Sequence, residues 1–479
     1  MSRKEFLAVV SKEEAQRAWA EALDLRPLGA EEVALAGALG RVLAAPFAAP
    51  GDLPPFDRAV VDGYAVVAAD TFGASTDAPA RLRLLGAPIA AGDDPAGRVV
   101  ERGAAIEVAT GASLPQGADA VVMIEHTSLD GGHVLLREPL TPGQGIQRRG
   151  SDVEEGEALF PTGRRLTARE TCVIAGTGAD RVLVHRRPKV AVISTGDELV
   201  APGAGPLAPG QIFDANARLV ADLVRELGGE PLELGIARDD EAGLRAVLER
   251  ARACDAVVLS GGTSKGAGDL TYRVVESLAQ VVVHGVAVRP GKPLVLAAWE
   301  RRPVAILPGF PTSAAVTFEV FVRPVLAQLA GVPARAAHAR PGARLGVAFP
   351  SAPGRHEYVL CYLAADGDGP PRAFPLLRGS GATSGLARAD GWVEVPADRE
   401  HVPAGATLPL TWLRGPHERT GADLVVVGEP SALVEAALDR ASDDGLRARF
   451  LPGSPVAAVD AVAAGLADAA VVGPAGEVE

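Results

Sequence analysis

The chain has 479 residues, 48% of them hydrophobic, and a formal net charge of −13. That length allows three or four domains with buried cores. The acidic balance argues against a nucleic-acid scaffold, which needs a basic face, but leaves room for an anion in a local basic pocket.

Cys172, Cys254 and Cys361 lie far apart and form no C-x-x-C, which excludes a cysteine-built zinc site and fits a reducing compartment. The histidines show no H-x-x-x-H pair, so a zinc-hydrolase reading lacks support. Fifty-five glycines and 38 prolines predict many turns and several small β-rich units. The apolar run Phe6–Val10 is too short for a signal peptide. In the alanine- and valine-rich stretch Pro455–Gly473, Asp460 and Asp468 break the run, so a buried helix and strand fit better than a membrane span. The expectation is a cytoplasmic protein with no membrane and no nucleic-acid partner.

In chain order, Ser11–Ala22 reads as an amphipathic helix, with Ser11 and Glu14 in a capping-box pattern. A second short helix is predicted over Glu31–Leu39. Pro50, Pro54 and Pro55 then stiffen a loop that leads through Asp57 and Asp62 into a strand beginning at Tyr64. This is either an ordinary surface turn or a rigid loop presenting two carboxylates to a ligand. From Arg81 to Arg164, short alternating runs between Gly and Pro predict a small β domain. It contains a polar loop at Thr110–Pro115 and the Arg148-Arg149-Gly150-Ser151-Asp152 stretch. Helical spacing returns at Leu166–Ala175, so the β domain reads as inserted into a mostly helical unit.

From Arg187 the pattern becomes strand–helix alternation. Strand Val190–Ile193 leads to Asp197 and Glu198; a helix over Asn216–Leu227 ends at Gly228. Strand Pro231–Ala237 leads to Asp239 and Asp240, and the next helix carries Leu244, Val247, Leu248 and Ala251 on one face. Val257–Leu259 opens directly into Ser260-Gly261-Gly262-Thr263-Ser264-Lys265-Gly266-Ala267-Gly268-Asp269. Glycines there let backbone N–H groups approach an oxyanion, the lysine adds charge, and the aspartate suits a divalent cation. The loop is not a Walker A motif. The alternative is a tight strand-to-helix turn without a ligand. Strands around Val281–Val288 and Leu294–Ala297 flank Arg289 and Lys292, and strand Val304–Leu307 leads to Pro308, Gly309, Phe310 and Ser313 and a helix to about Ala330.

Such alternation predicts a largely parallel sheet covered on both faces, with ligands bound outside the carboxyl ends of its strands. Acids and cations gathered at that edge are what a Mg²⁺-bridged phosphate needs, although each acid taken singly, Asp240 above all, suits a helix cap. After a linker at Pro333–Pro341, Arg344–Arg414 reads as a small β-barrel or sandwich, with Arg355 and Ser380 as its candidate ligand-facing residues. Beyond Pro416 a last α/β unit of about sixty residues follows, small for an independent fold.

Several motifs occur in a fixed order: P-P-F-D-x-x-x-x-D-G-Y-A-V at Pro54, T-G-A-x-x-P at Thr110, R-R-G-x-D at Arg148, S-T-G-D-E-L at Ser194, S-G-G-x-S-x-G-x-x-D at Ser260, R-P-G-K-P at Arg289 and L-P-G-x-P-x-S at Leu307. Over about residues 5–415 the chain resembles the molybdopterin molybdenumtransferase family, MoeA-type proteins related to the gephyrin E domain.

The resemblance implies a multidomain α/β plus β architecture. A mostly helical scaffold or dimerisation region would cover 1–46 and 160–186, and an inserted β domain 47–159. A three-layer α/β molybdopterin-binding catalytic domain would cover 187–332, a C-terminal β-barrel 340–415, and a partial periplasmic-binding-protein-like lobe 420–479. The implied activity is insertion of molybdenum from molybdate, a substrate, into adenylylated molybdopterin, with Mg²⁺-dependent release of AMP. It also implies a homodimer, with the site between one subunit's α/β domain and its partner's N-terminal region, and a molybdopterin adenylyltransferase as an interacting enzyme.

Carried over by motif, Asp62, Asp152, Glu198, Asp239, Asp269 and Arg289 are the implied catalytic residues. Thr110, Gly261, Gly262, Ser264, Lys265, Lys292, Pro308, Gly309, Ser313, Arg355 and Ser380 would bind substrate, and Glu198, Asp239 and Asp269 would hold Mg²⁺. The chain departs from the pattern at Gly285, beside His284, where some members have lysine; at Phe310, where some have asparagine; and at Lys265, where many have a small or apolar residue. Two competing functions are a molybdopterin adenylyltransferase, which shares the α/β domain, and a non-catalytic molybdate- or cofactor-responsive binding protein.

Overall fold

The computed structural model describes residues 9–262, 270–333, 341–364, 369–376, 381, 383–413, 422–429, 431–452, 454–463, 465 and 467–472. The chain divides into two compact units, one formed by 1–28 with 187–479 and the other by 29–186.

The first unit begins with α1 (Lys12–Ala22). Its capping box is formed: the Ser11 side chain accepts from the Glu14 N–H, and the Glu14 carboxylate accepts from the Ser11 N–H at 3.0 Å. Six strands follow: β1 (Lys189–Thr195), β2 (Glu230–Ala237), β3 (Ala256–Ser260), β4 (Gln280–His284), β5 (Val295–Trp299) and β6 (Arg302–Leu307), between helices α2 (Asn216–Glu226), α3 (Glu241–Ala251) and α4 (Leu270–Leu278). They form one mixed sheet in the order β2-β1-β3-β6-β5-β4. β2, β1, β3 and β6 are mutually parallel, while β5 runs antiparallel to both β6 and β4. β4 therefore points the same way as the four parallel strands.

Alternate side chains bury on opposite faces. Val190, Val192, Val258, Leu296 and Leu307 share a core with Ala15 and Trp19 of α1, Val220 and Val224 of α2, and Phe318 and Phe321. Those two phenylalanines lie in the helical stretch that starts as α5 (Pro311–Thr317) and continues through Phe318–Val322 and Arg323–Leu329. Ile193, Val257, Leu259 and Ile306 pack on the other side with Leu244 and Leu248 of α3 and Val274 and Val275 of α4. The expected strand through Val288 stops instead at His284. Gly285 takes φ +98°, which breaks the extended run.

Five strands close the next domain into a barrel: β7 (Gly342–Leu345), β8 (His356–Ala364), β9 (Arg372–Pro375), β10 (Gly391–Val395) and β11 (Thr407–Trp412). β8 pairs with β9 and β10, β9 with β7, β7 with β11, and β11 with β10, so no strand of the ring is left as an edge. The short strand Val288–Arg289 adds in parallel to β8 at His356 and Glu357.

The tail forms three parallel strands, β12 (Leu424–Gly428), β13 (Ala448–Pro452) and β14 (Ala469–Val471), in the order β13-β12-β14, linked by α6 (Ala432–Asp443) and α7 (Pro455–Ala463). Val425, Val427, Ala458 and Ala461 share one core with Ala364 and Phe374 of the barrel, and Arg372 donates to the Gly465 carbonyl at 2.8 Å. A unit this small gains much of its apolar burial from the neighbour it packs on.

In the second unit, Gly63–Val66, Ala80–Leu84, Ala104–Val108, Ala120–Met123, Thr127–Asp130 and His133–Leu136 form a six-stranded sheet. The helix expected over Glu31–Leu39 is corrected. Ala30–Ala34 is a strand paired antiparallel with Arg181–His185, followed by a single 3₁₀ turn at Leu35–Gly37. Cross-strand pairing decided between two local preferences: Val33 packs beside Val182 and Val184, while its neighbours Glu32 and Ala34 face out. The regions 1–46 and 160–186 are thus not mostly helical, and α1 belongs to the compact unit that contains 187–479.

Trp19 is buried on the sheet, and its indole N–H donates to the Ala297 carbonyl at 2.8 Å. Trp19→Ala should cost about 3–5 kcal/mol of stability, read as a lowered urea midpoint.

Candidate functional site

The sheet topology determines which loops meet. Ile236, Ser194, Ser260 and Leu307 lie side by side across four strands, and Val295 of β5 is paired with both Ile306 and His284. The loops after β1, β2, β3 and β6, and the β4–β5 connection, therefore all leave from one edge. Glu198 and Asp239 lie at one flank of that edge, Gly261 and Gly262 in the middle, and Arg289 and Lys292 at the other flank. Adjacent strands are about 4.8 Å apart, so the acids and cations stand roughly 15–20 Å from each other along it.

The acid flank is crowded. Asp239 N–H donates to the Asp197 carboxylate at 3.3 Å. Partial desolvation, followed by the negative charges of Asp197 and Glu198, raises the Asp239 carboxyl above the ordinary aspartate value. Glu198 folds back over Gly196, where an added Cβ would stand 2.6 Å from a carboxylate oxygen. Asp240 does act as the α3 cap, accepting from Gly243 N–H at 2.6 Å. Among the described residues no group of three or more acids, histidines or cysteines is placed to hold a metal ion.

The centre is a tight crossing. Gly261 has φ +100° and Gly262 φ +66°. A Cβ at Gly261 would sit 2.3 Å from the Thr195 carbonyl oxygen, and one at Gly262 would sit 2.3 Å from Thr271 Oγ1. Only glycine passes here without strain. Gly261 N–H donates to the Leu307 carbonyl at 3.1 Å, which ties the loop to the end of β6. Pro308 and Ser313 are buried, Gly309 is exposed, and the Phe310 ring lies beside Gly381 of the barrel domain. Ser264, Lys265 and Asp269, and Ser380 in the barrel, fall outside the described residues.

On the cation flank, Arg289 Nε lies 3.4 Å from Glu357. His356 N–H donates to the Ala287 carbonyl at 2.9 Å, which brings Arg355 next to the Arg289 loop. Lys292 and Arg355 are half-buried, with no ion pair to a described carboxylate. The Gly285 departure has a backbone basis: its φ of +98° is one that a lysine rarely adopts. The His284 ring lies tilted by 35° against that of Tyr272, with ring centroids 4.4 Å apart, and burial lowers its pKa.

The remaining site residues lie in the 29–186 unit. Thr110 donates to Asp62 through its N–H at 2.6 Å and its hydroxyl at 2.9 Å, and these bonds hold the Asp62 carboxyl below its ordinary value. Arg149 N–H donates to Asp57 at 2.8 Å, Gly150 N–H to the Pro54 carbonyl at 2.9 Å, and Leu114 N–H to the Asp57 carbonyl at 3.1 Å. The three sequence motifs of this unit thus form one knot, with Asp152 exposed beside it.

The structure adds residues to which the sequence reading assigned no role. Asn216 Nδ2 donates to Ser260 Oγ and to the Gly309 carbonyl, both at 2.7 Å. Asp214 Oδ1 accepts from Ala217 N–H at 3.0 Å. The local signal was Asp-Ala-Asn at a helix start, which ordinary capping explains equally well.

Fold and site define a multidomain α/β protein that gathers acids, glycines and cations on one sheet edge next to a closed barrel. The sequence model for the MoeA N-terminal region (domain I and II) matches residues 10–178, that for a probable molybdopterin binding domain 191–328, and that for the MoeA C-terminal region (domain IV) 342–412. Molybdopterin molybdenumtransferase 2 of Mycobacterium tuberculosis is 36% identical over 421 residues, covering 84% of this chain and 98% of its own length. The molybdopterin molybdenumtransferase of a Nostoc species is 38% identical over 63% of this chain and 70% of its own. The crystal structure of a molybdopterin biosynthesis MoeA protein from Pyrococcus horikoshii superposes with TM-score 0.73 at 40% identity, covering 85% of this chain and all of its own. The chain belongs to the MoeA family of molybdopterin molybdenumtransferases.

The raised Asp239 value fixes the sign of a pH effect. The unfolded chain loses this proton at lower pH than the folded one, so the carboxylate costs stability above the ordinary aspartate value and costs nothing below it. Asp239→Asn should therefore have the higher Tm at neutral pH, with the difference disappearing as the solution is acidified; calorimetry across pH checks this.

Proposed function

We propose that this protein is a molybdopterin molybdenumtransferase, which inserts molybdenum from molybdate into adenylylated molybdopterin and releases AMP. The observation that carries the reading is the separation of charge along one edge, with acids at one end, cations at the other and a glycine crossing between. A substrate with a pyrophosphate link at one place and an oxyanion acceptor at another needs both flanks.

Arg289, Lys292 and Arg355 would neutralise oxyanions, while Gly261 and Gly262 let backbone approach the phosphate. The acid flank would suit Mg²⁺, because Asp239 is disfavoured as a bare carboxylate by partial desolvation and then by Asp197 and Glu198. Glu198 and Asp239 would hold the ion with Asp269, and when bound it would supply charge neutralisation at the pyrophosphate. Asp239 and Glu198 would orient the link to be cleaved, and Arg289 would hold the accepting end. Thr110 keeps Asp62 ionised, which suits Asp62 and Asp152 to a role in a site completed by the second subunit of a homodimer. Ser264, Lys265, Pro308, Ser313 and Ser380 complete the proposed binding set. An adenylyltransferase that delivers the nucleotide-linked substrate is the natural interacting enzyme.

We also read 187–332 as a three-layer catalytic domain, 47–159 and 340–415 as separate β domains, and the cytoplasm as the compartment. The strand–helix–strand order of the tail supports its proposed kinship to part of a periplasmic-binding-protein lobe. Its packing on the barrel supports a buttressing role.

Incubation with adenylylated molybdopterin, Mg²⁺ and molybdate should release AMP and leave molybdenum bound. Molybdopterin with ATP should give no adenylylated product, and the reverse result would make the protein an adenylyltransferase. Asp239→Asn should lower AMP release by about a hundredfold. It should also blunt the rise in Tm that Mg²⁺ gives the unsubstituted chain.

A further inference from the structure

Asn216 is only 7% exposed, and it bonds two segments of the site at once, Ser260 before the glycine crossing and Gly309 after β6. A carbonyl oxygen can only accept, so the contact to Gly309 fixes which end of the amide is nitrogen. Both Nδ2 hydrogens are then engaged, while Oδ1 is buried without a partner among the described residues. Ser194 Oγ and Thr312 Oγ1 are likewise buried and unpartnered on this side of the sheet edge. Unfilled buried polar atoms cost stability, so packing alone does not account for an amide at 216.

Its effect falls on the next peptide. In a planar trans peptide the C=O and N–H point in opposite directions. With the Gly309 oxygen drawn to Asn216, the Phe310 N–H points away from α2. That N–H has no acceptor among the described residues, and Phe310 is 61% exposed. Leu307, three residues earlier, accepts from Gly261, so the donor stands one strand away from the glycine crossing.

We propose that the Phe310 backbone N–H is an oxyanion donor of the site and that Asn216 is the positioning residue that aims it. The ligand is an oxyanion on a tetrahedral centre, either a phosphate of adenylylated molybdopterin or molybdate, and in this the inference rests on the proposed function. The donor belongs to the backbone, so side chains of different chemistry at 310 can present it.

Phe310 has φ −76° and ψ 130° and already precedes a proline, a conformation that proline itself adopts. Phe310→Pro therefore deletes one N–H with the least disturbance, while Phe310→Ala and Phe310→Asn keep it. Each is titrated calorimetrically with adenylylated molybdopterin and, separately, with molybdate. The expected result is a Kd about tenfold or more higher for Phe310→Pro than for Phe310→Ala and Phe310→Asn in one of the two titrations. The ligand affected identifies the oxyanion. Asn216→Asp, which cannot donate to Gly309, should weaken the same titration and add nothing in the Phe310→Pro background.

Phe310→Pro binding both ligands as Phe310→Ala does would overturn the donor. Additive losses in the double variant would overturn the positioning role. Failure of the unsubstituted chain to bind either ligand would overturn the functional reading and the inference with it. Should proline lower Tm below that of Phe310→Ala, the α-hydroxy analogue of phenylalanine at 310 removes the same N–H as an ester, and the same outcomes apply.

Discussion

Parallel pairing of β1, β2, β3 and β6 puts the carboxyl ends of all four strands at one edge of the sheet, and β4 joins them because β5 runs antiparallel to both β6 and β4. Every polar feature of the α/β domain follows from that register. Asp239 and Asp197 meet because β2 lies beside β1. The glycine crossing lies against Thr195 because β3 lies on the other side of β1. A slip of one residue between β1 and β3 would exchange the two faces and move Ser260 away from Asn216. The apolar residues that hold the register are Val190, Val192, Val258 and Leu307 on one face and Ile193, Val257, Leu259 and Ile306 on the other. The core and the site are thus one constraint, since the alternation that buries these side chains also sets which loop faces which.

The charges are arranged along this edge rather than mixed. At one flank partial desolvation, and after it the charges of Asp197 and Glu198, disfavour Asp239 as a free carboxylate. Cations hold the other flank, where Arg289 is partly neutralised by Glu357 while Lys292 and Arg355 have no ion pair to a described carboxylate. The barrel takes part because Val288–Arg289 is hydrogen-bonded to β8. Closing the barrel therefore also places Arg355 next to the Arg289 loop.

The departures from the family pattern have local explanations. Gly285 sits where the backbone turns to positive φ, and the His284 ring lies tilted against Tyr272 beside it. Phe310 lies in a loop whose proposed contribution is a backbone N–H, which is indifferent to the side chain.

The sequence by itself determined the alternation of strands and helices from Arg187 onward, the capping at Ser11 and Asp240, a small β domain after the linker, barrel or sandwich, and the ordered motifs that mark the family. These are signals of local spacing, and spacing survives in one dimension. Tertiary structure decided the rest. Ala30–Ala34 became a strand because its partner lies about 150 residues away at Arg181–His185, beyond any local window. Asn216 looked like a helix start and proved to be a junction, because Ser260 and Gly309 reach it only through the folded sheet. The raised Asp239 pKa comes partly from acids in the loop after another strand, and no pattern in the chain states that distance. A sequence carries periodicity and residue type, whereas register and burial come from pairings between distant segments, and in this protein the placement of charge depends on both.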